Sequence, residues 1–192
     1  MDRRALILTV AATAAAAPVL AQTNPAANMP PSPGANRPSQ ANSAPPALSQ
    51  AAETHAAKTA QFGHASLEMA NLARENASDA KVKEFAKFEH DEQTTVAKVL
   101  KSMEPSLMPL PPPAEVAQAI DRLKQLKPGD AFDREFVSAQ IKGHEMLRTI
   151  QEDYLKVGKN PEAMNTTKLV LGMIKEHLSL LTDLRETHLA TL

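Results

Sequence analysis

The sequence is organised around a helical hairpin at residues 61–103, where two segments of apolar 3–4 periodicity flank a short break at 76–78. Periodicity of this kind places the apolar side chains along one face of an amphipathic helix. The face that the two segments share also carries carboxylates, Glu68 in the first segment and Glu89 in the second. Because so short a connection makes the two helices antiparallel neighbours, the hairpin predicts a helical bundle with charged groups near its core.

Two further long helical segments follow a proline-rich connection. Residues 105–113 include five Pro and must be extended, and a short amphipathic helix is predicted at 114–126. Asp130 is predicted to cap the third long helix and Gly158 to end it, and Pro161 stands at the start of the fourth. Four helices of roughly 40 Å each, with one long connection, predict an all-α fold. The expected architecture is an antiparallel four-helix bundle, ferritin-like, with one long crossover that contains the short extra helix.

The chain is predicted to have three regions. Residues 1–21 are a predicted signal peptide, because Arg3 and Arg4 precede an apolar, alanine-rich run that ends in small residues. The run is shorter than the ~20 residues that a membrane span requires, so a retained anchor is the less favoured alternative and the mature protein is expected to lack a transmembrane span. Residues 22–48 contain seven Pro and are predicted to be a disordered linker rich in Pro, Ala and Asn, and the bundle is expected at 49–189.

The predicted signal peptide implies a periplasmic or secreted protein, exported by the Sec or the twin-arginine route. The sequence has no Cys, which excludes disulfides and thiol chemistry. With a formal net charge of −1 and no Lys/Arg cluster interleaved with aromatic residues, nucleic acid is not an expected partner. The five Phe and one Tyr do not suggest an aromatic-lined pocket, and the sequence has no nucleophile–base set and no glycine-rich phosphate loop. An enzyme is therefore the weakest functional hypothesis.

Two histidines on the later helices, His144 and His177, complete a predicted polar layer. Counting from the two hairpin turns places Glu68, Glu89 and both histidines at about 22–27 Å from one end of a crossover bundle. In an up-down-up-down bundle, the carboxylates and the histidines would instead be roughly 8–10 Å apart. Carboxylates and imidazoles bind Fe, Mn or Zn, so these four residues are the predicted metal ligands. The alternative is that Glu–His and Glu–backbone hydrogen bonds satisfy the same layer without a metal.

Other polar residues are predicted to have supporting or solvated positions. Glu92 and Gln93, on the same helix as Glu89, are expected to support the ligands from outside the layer. The remaining histidines are expected to lie on solvated faces: His55, His64, His90 and His188.

Several short motifs in this chain resemble an exported bacterial family, the domain of unknown function 4142. The motifs are FGHASLEMANLA at 62–73, VKEFA at 82–86, Phe132-Asp133-Arg134, Gly143-His144-Glu145 and Glu176-His177-Leu178. Their order and spacing carry the resemblance, which spans residues 61–184 and so nearly all of the predicted bundle. The resemblance implies a ferritin-like bundle in the periplasm or outside the cell, and it implies no established activity.

Carried over residue by residue, the resemblance matches the family's glutamate on the first helix to Glu68. It matches the family's histidines on the third and last helices to His144 and His177. Many members have an Asp-His pair where this chain has Glu-Gln at 92–93, so one candidate ligand is absent and Glu89 is the nearest substitute. Di-iron ferritins use Glu-x-x-His on two helices, but isoleucine stands three residues before each of these histidines, so di-iron chemistry of that kind is not expected.

Two hypotheses for the function follow from the sequence. The first is an exported bundle that binds a divalent metal, of undetermined identity among Fe, Mn and Zn, for metal handling or envelope stress protection. The alternative is a non-catalytic bundle that binds a protein partner in the cell envelope or forms a homo-oligomer. In that case the buried Glu/His layer is purely structural.

Overall fold

The structure of the protein is a computed structural model, described for residues 48–108 and 110–189. Within these residues it is all-helical, which confirms the predicted class. The predicted signal peptide and all but the last residue of the predicted linker lie outside the described residues. None of the described helices combines the length and the apolarity that crossing a bilayer requires. The helices are α1 (Gln50–Asn76), α2 (Ala80–Met103), α3 (Ala114–Gln125), α4 (Asp130–Val157) and α5 (Pro161–Asp183), followed by a π-helical turn at Leu184–His188.

The helices begin where capping residues occur in the sequence. Ser49, Asp79 and Asn160 precede α1, α2 and α5, and the side chain of each accepts a backbone N–H from the first turn. The start of α4 differs from the prediction, because Gly129 is the N-cap and Asp130 is the first helical residue. Gly129 has a φ of 142°, a conformation that glycine adopts without the strain that a side chain would bring.

Gly158 ends α4 as predicted, but for a different reason from the one that the sequence suggests. Its φ is −63°, so the left-handed conformation of a glycine cap is not what requires glycine here. A Cβ at this position would lie 2.6 Å from Met164 Sδ and 2.8 Å from the Tyr154 ring. Glycine is therefore needed because two side chains approach its backbone closely.

Asp133, in the first turn of α4, fixes the turn between α1 and α2. Its carboxylate is fully buried and accepts hydrogen bonds from the backbone N–H of Ser78 at 3.1 Å and of Asp79 at 2.8 Å. The Ser78 hydroxyl donates a further bond at 2.5 Å. Asp133 therefore holds the start of α4 against the hairpin turn.

Contacts between the helices follow a regular order. Along α1 and α4, His55 contacts Gln151 and Ser66 contacts Gln140, so residue numbers rise on one helix as they fall on the other. The most extensive contacts join α1 to α2, α4 to α5 and α1 to α4. By contrast, α2 and α5 touch each other at far fewer places.

Two apolar clusters form most of the core, and polar residues lie between them. The first cluster contains Phe85, Ile141 and Leu181, and the second contains Val96, Leu147 and Ile174. On α2, α4 and α5, the buried charged or imidazole residues between these positions are Glu89, His144 and His177.

Candidate metal centre

Glu89 of α2, His144 of α4 and His177 of α5 meet in the interior; we call these three residues the Glu89 group. Glu89 Oε2 lies 2.9 Å from His177 Nδ1 and 3.4 Å from His144 Nε2. The two ring nitrogens are 3.1 Å apart. Glu89 and His144 are 0% exposed and His177 is 5% exposed. Three atoms of the kinds that bind metal ions therefore converge at one buried point.

Helical spacing explains why these residues point inward. On α4, the buried residues Gln140, His144, Leu147 and Gln151 recur at intervals of three or four. This is the period of one helix face, so His144 occupies a core position between residues that also pack inside. Glu89 lies four residues after buried Phe85 and follows the same rule on α2.

Each histidine of the Glu89 group is held through its second ring nitrogen. His144 Nδ1 lies 2.8 Å from the Gln140 carbonyl oxygen. Because a carbonyl can only accept, Nδ1 carries the hydrogen, and in the neutral ring Nε2 presents its lone pair to the group. His177 Nε2 lies 2.9 Å from Glu92 Oε2. Metal-binding histidines are usually held in this way, by a backbone carbonyl or a carboxylate on the outer nitrogen.

The second oxygen of Glu89 is fixed by α1 and α4. The Ser66 hydroxyl lies 2.5 Å from Glu89 Oε1 and 2.6 Å from Gln140 Oε1. The amide of Gln140 in turn donates to the backbone carbonyl of Ser66 at 3.3 Å. Since these contacts engage Oε1, the carboxylate is oriented with Oε2 towards the two imidazole rings.

Glu89 Oε2 lacks a hydrogen bond among the described residues, although it is completely buried. It is within ion-pair distance of both rings but outside hydrogen-bond geometry, and the same is true of Glu92 Oε2 beside His177 Nε2. A buried carboxylate oxygen without a hydrogen bond is costly, and a metal ion is one of the usual ways to satisfy it. The residues present therefore fit a metal ion.

The charges of this group depend on one another. Burial alone would raise the pKa of the Glu89 carboxyl, but the adjacent His144 and His177 outweigh it and hold that pKa well below its ordinary value. For His177, burial alone would lower the pKa, but Glu89 and Glu92 outweigh it and raise the pKa. Burial also raises the pKa of Glu92, and the nearby charge of Glu89 adds to the shift. Glu89 is thus held as a carboxylate, the form that binds metal.

An aromatic ring covers one side of the two histidines. The Phe85 ring lies edge-on to His177, with centroids 5.2 Å apart, and to His144, with centroids 6.4 Å apart. Phe85 is 4% exposed. The ring therefore keeps water from that side of the group and lowers the local dielectric.

Glu68, the fourth predicted ligand, is not brought into this group. Its Oε1 pairs with Lys124 Nζ of α3 at 2.7 Å, and its side chain is 38% exposed. Two residues along a helix correspond to about 200° of rotation, so Ser66 faces the interior and Glu68 faces α3. The structure thus brings together three of the four predicted residues, and α1 contributes a hydroxyl instead of a carboxylate.

The two predicted supporting residues occupy different places. Glu92 contacts His177, as described above. Gln93 instead lies between α1 and α2, where its Oε1 would be 2.6 Å from a Cβ at Gly63. Gln93 therefore fills the space that Gly63 leaves and does not reach the Glu89 group.

The histidines expected on solvated faces divide into two kinds. His64 is exposed, and His90 is partly exposed and lies 2.9 Å from the Asp91 carboxylate. His55 is 5% exposed, so the prediction of a solvated side chain is wrong for this residue. The side chain of His188 lies outside the described part of the structure.

His55 belongs to a second buried polar cluster, which we call the His55 group: His55, Thr59, Gln151 and Thr167. His55 Nε2 lies 2.7 Å from Gln151 Oε1, and the Gln151 amide donates to Thr59 Oγ1 at 3.0 Å. The His55 ring stacks on Tyr154, with centroids 4.2 Å apart. Burial lowers the pKa of His55, and the hydrogen bond to Gln151 opposes this only in part. The cluster is therefore neutral at neutral pH.

A sequence signal for His55 exists. Ala52, His55, Thr59 and Phe62 are spaced by three, four and three residues, and all four are buried. The inward face of α1 therefore continues through His55 and Thr59 towards the N-terminus of the helix. A pattern of large apolar side chains alone ends at Phe62.

Comparison with known proteins supports the fold but assigns no activity. The model of the family described as "Domain of unknown function (DUF4142)" matches residues 37–184. Among solved structures, a crystal structure of a DUF305 fragment from Deinococcus radiodurans is similar, with a TM-score of 0.65 and 16% sequence identity. The match covers 77% of this chain and 100% of that one, and at this identity it concerns the fold alone. Among curated proteins, none matches this chain.

Proposed function

This chain belongs to the family described as domain of unknown function 4142, and we propose that it is an exported helical bundle that binds a divalent metal ion. The proposed ligands are Glu89 Oε2, His144 Nε2 and His177 Nδ1. The proposed role is metal handling or protection against metal-dependent stress in the cell envelope. Export is inferred from the arginines and the apolar run at residues 1–21.

The observation that carries the proposal is the buried Glu89 Oε2 with two imidazole nitrogens beside it and no hydrogen bond. The three atoms are 2.9, 3.1 and 3.4 Å from one another. Around a first-row metal with bonds of about 2.0–2.1 Å, neighbouring ligand atoms lie about 3–3.4 Å apart. An ion would thus need only small side-chain shifts to be held by all three.

The donor set narrows the choice of metal. Two imidazoles and one carboxylate bind Zn²⁺, and the same combination is the usual set of mononuclear non-haem Fe²⁺ sites. Mn²⁺ accepts these ligands with lower affinity. Three protein ligands leave coordination positions for water or another small ligand, and the outer contacts of His144 and His177 would orient the rings for binding.

The proposed arrangement of the helices is an antiparallel four-helix bundle with a ferritin-like crossover between α2 and α4. The order of contacts supports this arrangement. On α4 and α5, His144 contacts His177 while Tyr154 packs with Ala163, so these helices run in opposite directions. The contacts between α1 and α4 described above show that these two helices also run in opposite directions. A connection between α2 and α4 that returns along the bundle is compatible with both.

Elemental analysis of the purified protein tests the proposal. The protein, without a His tag, is incubated with Fe²⁺, Mn²⁺ or Zn²⁺ and separated from free ions. We expect close to one ion per chain, lost in Glu89→Gln and retained in Glu68→Gln. The second variant is a matched control, because it makes the same change at the predicted carboxylate that lies outside the group. If Glu89→Gln retains the metal, or if no ion binds and added ions leave the melting temperature unchanged, the proposal is wrong.

An alternative function, a bundle that binds a protein partner, is favoured by one observation. Phe88 of α2 and Leu180 of α5 are 53% and 48% exposed and line the same cleft. Exposed apolar side chains that lie together are typical of interaction sites. Light scattering of the purified protein, with Phe88→Ser as the comparison, would report self-association through this cleft.

A further inference from the structure

The Glu89 group is enclosed, so an ion has to pass between helices to reach it. Glu89 and His177 lie on α2 and α5, and these two helices touch at far fewer places than the other neighbouring pairs of long helices, α1 with α2, α4 with α5 and α1 with α4. Local opening requires least free energy where the fewest packed contacts are broken. The interface between α2 and α5 is therefore the place where an ion is expected to enter.

Glu92 lies at this interface between solvent and the ligands. Its side chain is 35% exposed, while its Oε2 is buried 2.9 Å from His177 Nε2. Glu92 follows Glu89 by three residues on α2, so both carboxylates lie on the same side of that helix. The exposed Glu176 of α5 acts electrostatically on Glu92 as well. Together these carboxylates give the interface a negative charge that attracts cations.

A second opening at the same interface has a different chemistry. It is a cleft of about 250 Å³ lined by Phe85, Phe88, Leu180 and Leu184 together with Lys81, Glu84 and Asp183. A divalent cation that entered here would meet the carboxylates of Glu84 and Asp183, but it would then lose hydration water against the Phe85 ring, which covers both histidines. This cleft is therefore the less favourable path for an ion.

We propose that a divalent cation reaches the Glu89 group through Glu92, whose partly exposed carboxylate binds the ion before the buried ligands do. This inference rests on the proposed function and adds a residue that sets the rate of metal uptake. The Glu92 carboxylate replaces part of the hydration shell at the surface. The ion then passes to Glu89 and His177, while Glu92 remains as the partner of the outer nitrogen of His177.

Stopped-flow kinetics with Co²⁺ as the probe tests this route, since its absorption reports binding to nitrogen and oxygen ligands. Association is measured at about 0.01 M and about 1 M ionic strength, where the Debye length falls from about 30 Å to about 3 Å. The variants are Glu92→Gln, Phe88→Ala, which widens the cleft, and Glu152→Gln, which removes an equal charge from an exposed position on α4. Far-UV circular dichroism and the melting temperature establish that each variant is folded.

We expect Glu92→Gln to bind Co²⁺ with the same stoichiometry as the wild type and to associate about tenfold more slowly at low salt. The difference should shrink at high salt, because screening removes the attraction. Glu152→Gln and Phe88→Ala should associate like the wild type.

Two results would overturn the route through Glu92. If Phe88→Ala accelerates association while Glu92→Gln leaves it unchanged, the ion passes through the cleft at Phe88. If Glu92→Gln changes only the dissociation rate, Glu92 merely orients His177. A Glu89→Gln variant that binds Co²⁺ like the wild type, or a wild type that binds none, would instead refute the proposed function, and the route with it.

Discussion

Two buried polar clusters in this protein both contain histidine but differ in the groups around it. The Glu89 group and the His55 group each contain imidazole and lie beside an amide and a hydroxyl. Along α4 they are separated by the seven residues from His144 to Gln151, roughly 10 Å. Only the Glu89 group contains a carboxylate.

Carboxylates beside a buried histidine reverse the direction in which its pKa shifts. The pKa of His55 is lowered because burial dominates and its partner is a neutral amide. The pKa of His177 is raised, because Glu89 and Glu92 outweigh an equally unfavourable burial. In the neutral cluster, hydrogen bonds join His55 to Gln151 and Gln151 to Thr59, whereas the charged one leaves Glu89 Oε2 without a hydrogen bond among the described residues. Burial of a histidine thus says little about metal binding until its partner is known.

The largest expected difference between the two clusters is in metal affinity. Replacement of a ligand should cost at least as much as loss of an outer-sphere contact, so His144→Gln should weaken binding by about 100-fold or more. His55→Gln, the matched change in the neutral cluster, should leave the affinity within a few-fold of the wild type. Competition with a chromophoric chelator measures both values. Equal losses in the two variants would mean that the clusters are not functionally distinct.

The next largest expected effect is on the free energy of unfolding, and it should arise from a substitution beside the His55 group. Gly158→Ala would place a Cβ 2.6 Å from Met164 Sδ and 2.8 Å from the Tyr154 ring, which stacks on His55. Forcing that ring to move should lower the free energy of unfolding by about 1–3 kcal/mol, with metal affinity unchanged.

Gly172→Ala is the matched control for this substitution. Gly172 lies within α5, and a Cβ there would meet no atom within 4 Å. Alanine should therefore raise the free energy of unfolding by about 0.8–1 kcal/mol through helix propensity. Urea denaturation measures both variants. A neutral Gly158→Ala would show that the close approach of Tyr154 is relieved without cost.

The sequence predicts the helices of this protein better than their rotation about their own axes. Caps and apolar periodicity locate the elements, and the length of the 105–113 connection is the basis for predicting a crossover. Counting residues from the turns predicts only the height at which Glu68 lies. It cannot give the angle at which Glu68 projects, because that depends on how α1 packs against α3 and α4. The structure accordingly turns Ser66 inward and pairs Glu68 with Lys124.

His55 was missed for a related reason. A search for apolar periodicity ends the inward face of α1 at Phe62, since Thr59 and His55 are polar. Their burial becomes understandable only when Gln151 and Thr167, from distant parts of the chain, provide hydrogen-bond partners. Such long-range satisfaction of polar groups is not encoded in local spacing.

A smaller effect distinguishes the hydroxyls of the two clusters. The Ser66 hydroxyl lies 2.5 Å from an oxygen of the Glu89 carboxylate, whereas Thr59 Oγ1 accepts from the neutral Gln151 amide at 3.0 Å. Hydrogen bonds to charged groups contribute about 1.5–3 kcal/mol and neutral ones about 0.5–1.5 kcal/mol. Ser66→Ala should therefore destabilise the metal-free protein by about 1 kcal/mol more than Thr59→Val does. The reverse order in urea denaturation would contradict the assignment of charge to Glu89.

The smallest expected effect is a difference of sign in the pH dependence of stability, measured on metal-free protein. His55 has a lowered pKa in the folded state, so the unfolded chain binds more protons as the pH falls below the ordinary value near 6.5. The contribution of His55 to the free energy of unfolding is therefore constant above that pH and is lost on acidification. His177 has a raised pKa, so its contribution is complete below the ordinary value and is lost as the pH rises through the folded value.

Removal of each histidine should flatten opposite sides of the stability profile. His55→Gln should reduce the loss of stability between pH 6.5 and more acidic conditions, where burial of a neutral ring opposes protonation. His177→Gln should reduce the loss above pH 6.5, where the wild type gives up the favourable pairing of a protonated ring with Glu89 and Glu92. The slope that one proton contributes is at most about 1.4 kcal/mol per pH unit. Urea denaturation across this range measures stability on both the acidic and the alkaline side of the profile. If the two variants change the same side, the Glu89 carboxylate does not control the charge of His177, and the contrast between the clusters fails.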